Sequence, residues 1–305
     1  MQAKNQLVSA PTNVEINVRL VNDIGPFLQA EKSSRLAANT GDSDRIPSSS
    51  KTITQTNGDM MRAVILAAGA GTRLKHLTKE RPKCLVPLGG RPLLDHQLQA
   101  LRGAGIDDIV VVVGFEAEQV RWHCGTDVTY VVNQEWETTN SIFSFYLAAE
   151  WIQGPRTLLF NCDILFDGRL LSRLVETETS VIAVDSQAER LAGEMNVITD
   201  AENVVQAIGK HLPAETTDAV SVQLASFNSQ GADLVRSELE RLVLQQVKDA
   251  FPTSAYGPLV EQRGLLAIEA GDLPWAEIDS VEDFQRAEKE VVPKLQCPSS
   301  NDRLQ

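Results

Sequence analysis

The stretch AVILAAGAGTRLKHLTKERPKCLVPLGGRPLLDHQL, residues 63–98, holds an apolar strand, a glycine turn and a long basic loop. The run RAVILAA (62–68) is apolar almost without interruption, the pattern of a strand covered on both faces. It ends at Gly69-Ala70-Gly71. A glycine turn at the carboxyl end of a first strand is where open α/β sheets bind ligands. No helix follows at once; Arg73, Thr78, Arg81, Pro82 and Lys83 come first.

Two common phosphate-binding motifs are excluded. A Walker loop needs a Lys directly after its second glycine, and none stands there. A dinucleotide fingerprint needs a third glycine opening a helix. Here Gly71-Thr72-Arg73 leads to Leu74, and Pro82 interrupts the region where a helix would be established. What remains suits a triphosphate. Small residues from Ala67 to Gly71 let backbone N–H groups approach phosphate closely. Arg73 adds a planar fork matched to phosphate oxygens, and Lys83 adds a compact cation.

Outward from this stretch the chain alternates strand and helix. A helix is expected over 92–103, with Pro92 in its first turn, then a buried strand DIVVVVG (108–114). A short helix (116–123), a strand VTYVVN (128–133) and a helix SIFSFYLAAEWI (141–152) follow, the last capped by Asn140 or Ser141. TLLFNCDILF (157–166) reads as a strand running into an acidic turn. SVIAVD (180–185), EMNVITD (194–200), VVQAIGK (204–210) and DAVSVQLASF (218–227) read as strands joined by tight turns. Helices near 230–250 and 256–263, a strand LLAIEA (265–270) and a helix SVEDFQRAEKEV (280–291) close the pattern. The fold expected is α/β: a Rossmann-like mixed, mainly parallel sheet flanked by helices, with a small antiparallel flap.

The 305 residues carry 28 basic and 41 acidic side chains, a formal charge of −13. That excludes a general nucleic-acid or anionic-membrane surface, but not a local basic cleft for one anionic ligand. Cys84, Cys124, Cys162 and Cys297 are widely spaced without a CxxC pair, which fits a reducing, cytoplasmic setting. No apolar run is long enough to cross a membrane, and no signal peptide is evident. Residues 1–60 read as a mostly mobile extension in which 14–21 could form a strand, 61–292 as the folded domain, and 293–305 as a loose tail.

From Leu66 to Lys83 and Leu85 the chain follows the pattern L-A-A-G-x-G-T-R-[LM]…T…P-K-x-[LM]. It resembles the nucleotidyltransferase family that makes NDP-sugars and CMP- or CDP-activated alcohols. The resemblance implies transfer of a nucleotidyl group from an NTP to a phosphorylated acceptor, with release of pyrophosphate. It marks Leu66, Ala67, Ala68, Gly69, Gly71, Thr72, Arg73 and Lys83 as nucleotide-binding, with Arg73, Lys83 and Asp163 catalytic. Replacing Lys83 by Ala is expected to lower turnover sharply with less effect on folding.

Transfer between anions needs charge neutralisation, commonly by Mg²⁺ on carboxylates. The family places a metal-binding Asp after its fourth strand and an Asp or Glu-x-Asp near its C-terminus. Asp163, Glu277 and Asp279 stand at the matching positions. Asp279 has a rival reading as the cap of the 280–291 helix. VVQAIGK resembles the segment that delivers a second lysine, here Lys210, to the acceptor phosphate. A related subgroup carries Lys after Glu-Met, where this chain has Asn196.

NQEWETTNSIFSFYLAAE (133–150) resembles the phosphocholine cytidylyltransferase-like branch, which favours CTP; Asn140 and Ser141 at the helix start are candidates to bond the acceptor, or a base or ribose. An aromatic cage for a choline head would draw on Trp136, Phe143, Tyr146, Tyr256 and Trp275. Partners expected are an NTP and a phosphorylated small molecule, with a homo-oligomer left open. Rival readings are a sugar-1-phosphate nucleotidylyltransferase using UTP, dTTP or GTP, and a non-catalytic nucleotide sensor on the same fold.

Overall fold

The computed structural model describes residues 61–295; the strand expected over 14–21 and the chain beyond 295 lie outside the described residues. β1 (Met61–Ala67) opens the fold. The basic loop after it coils as a 3-10 segment over Thr72–Thr78 and again over Lys83–Leu85. A small hairpin, β2 (Pro87–Leu88) and β3 (Arg91–Pro92), then leads into α1 (Leu93–Gly103). Pro92 is extended (φ −51°, ψ 143°), so it caps the helix instead of sitting in its first turn. β4 (Asp108–Val113), α2 (Ala117–Cys124) and β5 (Thr129–Val132) follow as expected.

Two expected elements are broken. The helix over 141–152 is α3 (Ser141–Leu147) followed by a separate 3-10 turn, Ala149–Ile152. The strand over 157–166 is β6 (Arg156–Asn161) and β7 (Ile164–Phe166), with Cys162 and Asp163 turning between them. An unexpected helix, α4 (Arg169–Val175), precedes β8 (Ser180–Asp185), β9 (Asn196–Thr199), β10 (Val205–Gly209) and β11 (Ala219–Phe227). α5 (Ser229–Leu244) is capped by Asn228 and stops short of the expected 250. α6 (Gly257–Glu261), β12 (Leu265–Glu269), β13 (Trp275–Glu277) and α7 (Val281–Glu290) complete the order.

Nine strands form the main sheet, in the order β10-β9-β11-β6-β1-β4-β5, with β8 against β11 and β12 against β8. β1 is parallel to β4 and β6, and β4 to β5. β11 runs antiparallel to β6, β8 and β9, and β9 and β10 make the antiparallel flap. The sheet is thus mixed, and parallel through β6, β1, β4 and β5. α1 and α4 cover one face through Leu94, Leu98, Leu101, Leu171 and Leu174, packed with Ile65, Val111 and Phe160. α3 and α5 cover the other through Phe145, Val235 and Leu239, packed with Val64, Val110 and Leu159. Each such buried side chain contributes about 1.5–3 kcal/mol relative to exposure.

A third, smaller cluster places the site. Leu74 and Val86 from the basic loop, with Leu88 of β2 and Leu93 at the start of α1, pack on Leu165 and Ala276 of the β7–β13 ribbon and on Ile278 just after it, with Ala287 of α7 behind. The loop is thereby held against the two segments that carry the acidic residues. No described helix is long and apolar enough to cross a membrane.

Candidate active site

The carboxyl ends of β1, β5 and β6 open on one edge, onto a cleft of about 350 Å³. The glycine turn closes its floor. Gly71 has φ 63°, in the left-handed region, and a Cβ there would lie 2.7 Å from the Cβ of Lys83. Only glycine satisfies both the backbone and the lysine stem. Thr78 Oγ1 donates to the Gly71 carbonyl at 2.9 Å and pins the turn from behind. At the end of β4, a Cβ on Gly114 would meet the Ala68 carbonyl at 2.7 Å, where Phe115 N–H donates to that same oxygen.

Lys83 is the hub of the cleft. It follows extended Pro82, is 7% exposed, and its Nζ lies 2.7 Å from both Asp163 Oδ2 and Asp279 Oδ1. Arg73 Nη2 meets the other Asp279 oxygen at 2.9 Å, its side chain 71% exposed. Carboxylate oxygens of Asp163, Glu277 and Asp279 lie within 4.8 Å of one another. Their spacing is set by backbone: β7 pairs Ile164 with Glu277, and Ile278 N–H donates to the Asp163 carbonyl at 2.9 Å.

The electrostatics follow from that crowding. Burial pulls the Lys83 ammonium down, but the fields of Asp163 and Asp279 outweigh it and hold the pKa above the usual lysine range. Burial works against the Asp279 carboxylate, yet Lys83 and Arg73 keep it below the ordinary aspartate value. Glu277 goes the other way. Burial, then the charges of Asp163 and Asp279, push its pKa up to about 7. Asp163 and Asp279 thus share one buried ammonium with Glu277 crowded beside them, and Asp163 Oδ1 is buried without a hydrogen-bond partner. An all-oxygen donor set with an orphaned oxygen and surplus negative charge fits a hard divalent cation such as Mg²⁺.

The other expected residues divide. Leu66, Ala68, Gly69, Gly71 and Arg73 line the cleft. The Ala67 side chain packs in the core, and Thr72 faces a neighbouring groove with Lys75, Lys79 and Phe115. Asp279 does not cap α7; Ser280 does, in a reciprocal box with Asp283, which leaves Asp279 to the cleft. Asn140 and Ser141 line the cleft. The Asn140 amide is partly committed, accepting from Ser141 N–H at 2.7 Å and donating to Asp249. Lys210 lines the cleft with its Nζ 4.8 Å above the Phe251 ring, and among the described residues it makes no ion pair. Asn196 lies elsewhere, fully buried, its amide donating to the Leu191 and Leu212 carbonyls.

The five candidate aromatics do not converge. Trp136 lines the cleft, edge-on to Phe115. Phe143 stacks on Tyr146, Tyr256 packs against Phe227, and Trp275 Nε1 donates to Asp185. Several lining residues escaped the sequence reading, among them Asn161, Phe251 and Gln223. Phe251 lies in a loop without a motif. Gln223 is signalled only as a polar residue inside the apolar run VSVQLASF.

Residues 63–211 match the family described as MobA-like NTP transferase domain. Over 264 residues the chain is 31% identical to CMP-5'-(3-aminopropyl)phosphonate synthase of Streptomyces rubellomurinus, a match covering 76% of this chain and 39% of that protein. The chain therefore spans about two-fifths of that relative's length. It is 28% identical over 248 residues to CTP:phosphoglutamine cytidylyltransferase of Campylobacter jejuni, covering 74% of this chain and 98% of that one. Among solved structures, the CTP:phosphocholine cytidylyltransferase of Streptococcus pneumoniae shares the fold with a TM-score of 0.64 at 23% identity, over 75% of this chain and 98% of that one. The match to the MobA-like NTP transferase domain thus takes in β1 and the glycine turn and runs to the flap, just under half of the chain.

Proposed function

We propose that the protein is a Mg²⁺-dependent cytidylyltransferase that moves CMP from CTP to a phosphorylated or phosphonate small molecule and releases pyrophosphate. The observation that carries this is Lys83, bridging Asp163 and Asp279 at 2.7 Å beside the glycine turn. CTP is favoured because both full-domain relatives described above are named for CMP or CTP chemistry.

In this reading the backbone amides of 68–71 and the free N–H groups of Arg73 receive the triphosphate. An ammonium has three donors. Lys83 spends two on the aspartates and keeps a third for an oxygen on the α-phosphorus. Asp163, Glu277 and Asp279 would hold Mg²⁺, which when bound supplies neutralising charge for the attacking and leaving oxygens. Lys210 anchors the acceptor's anionic group. An acceptor oxygen attacks in line; a new P–O bond forms at the α-phosphorus as the bond to the bridging oxygen of the β-phosphate breaks. The acceptor is already anionic, so positioning and electrostatics suffice and no side-chain base is needed.

A non-catalytic sensor would be expected to lose a metal carboxylate or the lysine, whereas this chain keeps Lys83, Asp163 and Asp279. Pyrophosphate release measured across a grid of NTPs and phosphorylated acceptors tests the proposal. Turnover is expected with CTP; turnover confined to UTP, dTTP or GTP with sugar-1-phosphates would replace it, and Mg²⁺-dependent CTP binding without turnover on any acceptor would revive the sensor.

A further inference from the structure

β11 carries one residue that strand geometry does not favour. Gln223 has φ 62°, in the left-handed region that suits glycine and strains a residue with a side chain. It sits in a bulge. Ser221 pairs with Val184 and Ala225 with Ile182, so Val222, Gln223 and Leu224 stand opposite Ala183 alone. The N–H that this bulge frees is taken by the buried Ser221 Oγ at 3.0 Å. Strain of this kind persists where the surroundings hold it and something is gained.

What is gained is direction. The Gln223 side chain lines the cleft. Its Oε1 accepts from Asn161 Nδ2 at 3.2 Å, and its Nε2 donates to Glu277 Oε2 at 2.6 Å. Asn161 ends β6, just ahead of Asp163. One amide therefore ties the strand end that presents Asp163 to the strand that presents Glu277. The order of donors matters. With Asn161 donating, the Gln223 NH₂ has to face Glu277, which fixes one oxygen of that carboxylate and leaves the other to the acid cluster. Glutamine does this where glutamate could not, because a fourth carboxylate would repel the other three.

We propose that Gln223 is a positioning residue for the divalent cation: from its left-handed bulge it sets the orientation of the Glu277 carboxylate, and the strand keeps its strain for that purpose. The inference rests on the metal reading of Asp163, Glu277 and Asp279. Outer-sphere hydrogen bonds to ligating carboxylates typically tune metal affinity by about 10–100-fold.

Gln223→Gly removes the amide and accepts the backbone conformation, so it separates the two roles. In the full chain with EDTA its thermal midpoint is expected to equal or exceed that of the wild type. Its dissociation constant for Mn²⁺, measured by the EPR signal of the free ion without nucleotide, is expected to rise about tenfold. Asn161→Ala leaves β11 intact and removes the donor that orients the amide; it is expected to weaken Mn²⁺ in the same direction. Mn²⁺ affinity within twofold of wild type in either folded variant overturns the proposal. A raised acceptor KM with unchanged Mn²⁺ affinity overturns it too, and assigns Gln223 to the acceptor. Wild-type protein that binds no Mn²⁺, with or without CTP, overturns the metal reading itself.

Discussion

Lys83 shows what a single residue is asked to do. The sequence marks it as a phosphate-binding cation whose loss leaves folding largely intact; the geometry gives it a second duty. It neutralises two aspartates, and removing one partner of a buried ion pair costs up to about 3–5 kcal/mol. Lys83→Ala is therefore expected to lower turnover by at least about 10²-fold and also to lower the thermal midpoint in EDTA, with partial recovery on adding Mg²⁺. Circular dichroism melts with and without the ion check this; an unchanged midpoint in EDTA contradicts the shared-ammonium geometry. Glu277 supplies the pH test. Its folded pKa is raised from the ordinary 4.5 to about 7, so the folded state disfavours its ionisation. The resulting penalty is absent below pH 4.5, grows as pH rises, and is complete above about 7. Metal-free Glu277→Gln, which can still accept from Gln223, is expected to be more stable than wild type at pH 8, by up to about 3 kcal/mol. Urea midpoints should converge toward pH 4.5, and a gap that widens toward acid would refute the assignment. Gly71, Arg73, Lys83, Asp163 and Asp279 were legible in the sequence because each belongs to a short local pattern. Gln223 was not: its meaning depends on a left-handed backbone and on partners at 161 and 277 that no local pattern reveals.

At the scale of elements, periodicity identified what packing alone decides and blurred what turns decide. β1, β4 and β8 fall where their apolar runs lie, because both faces of the sheet are covered. The break between β6 and β7 was hidden since apolar residues continue on both sides of Cys162-Asp163; only the change of pairing partner, from β1 to β13, separates the two strands. α4 escaped because its seven residues are too few to display a helical period. α7 was legible, but its cap was ambiguous between Asp279 and Ser280. The Ser280 hydroxyl accepts from Asp283 N–H at 3.1 Å and donates to its carboxylate at 2.7 Å. Ser280→Ala is expected to cost about 1 kcal/mol, a fall of about 2–4 °C in thermal midpoint. Turnover should change little, since Lys83 and Arg73 hold Asp279 independently of the cap. A loss of activity as large as that of Lys83→Ala would show that the helix start, not the ion pairs, sets the Asp279 position.

Over the whole molecule, the site is assembled from segments near 71–83, 161–163, 210, 223 and 277–279, brought to one edge of a sheet. The acids at 163 and 277–279 are not simply side chains on that sheet. They ride on β7 and β13, which pair with each other apart from the nine-stranded main sheet. The ribbon thus acts as a fixed-gap caliper bolted to a larger frame: its jaws are joined by their own ladder and by the Ile278–Asp163 hydrogen bond. Hydrogen–deuterium exchange can read this directly. The Ile278 amide is expected to exchange among the slowest, while the sheet edges at β5 and β10 exchange first; early exchange at Ile278 would unbolt the caliper. If the rim exchanges first while the gauge stays set, the cleft can admit ligands of varied shape without losing the spacing of its acids. Drift at the end of the cleft lined by Asn140, Ser141 and Lys210 and constancy at its acidic end are then independent degrees of freedom for one chain.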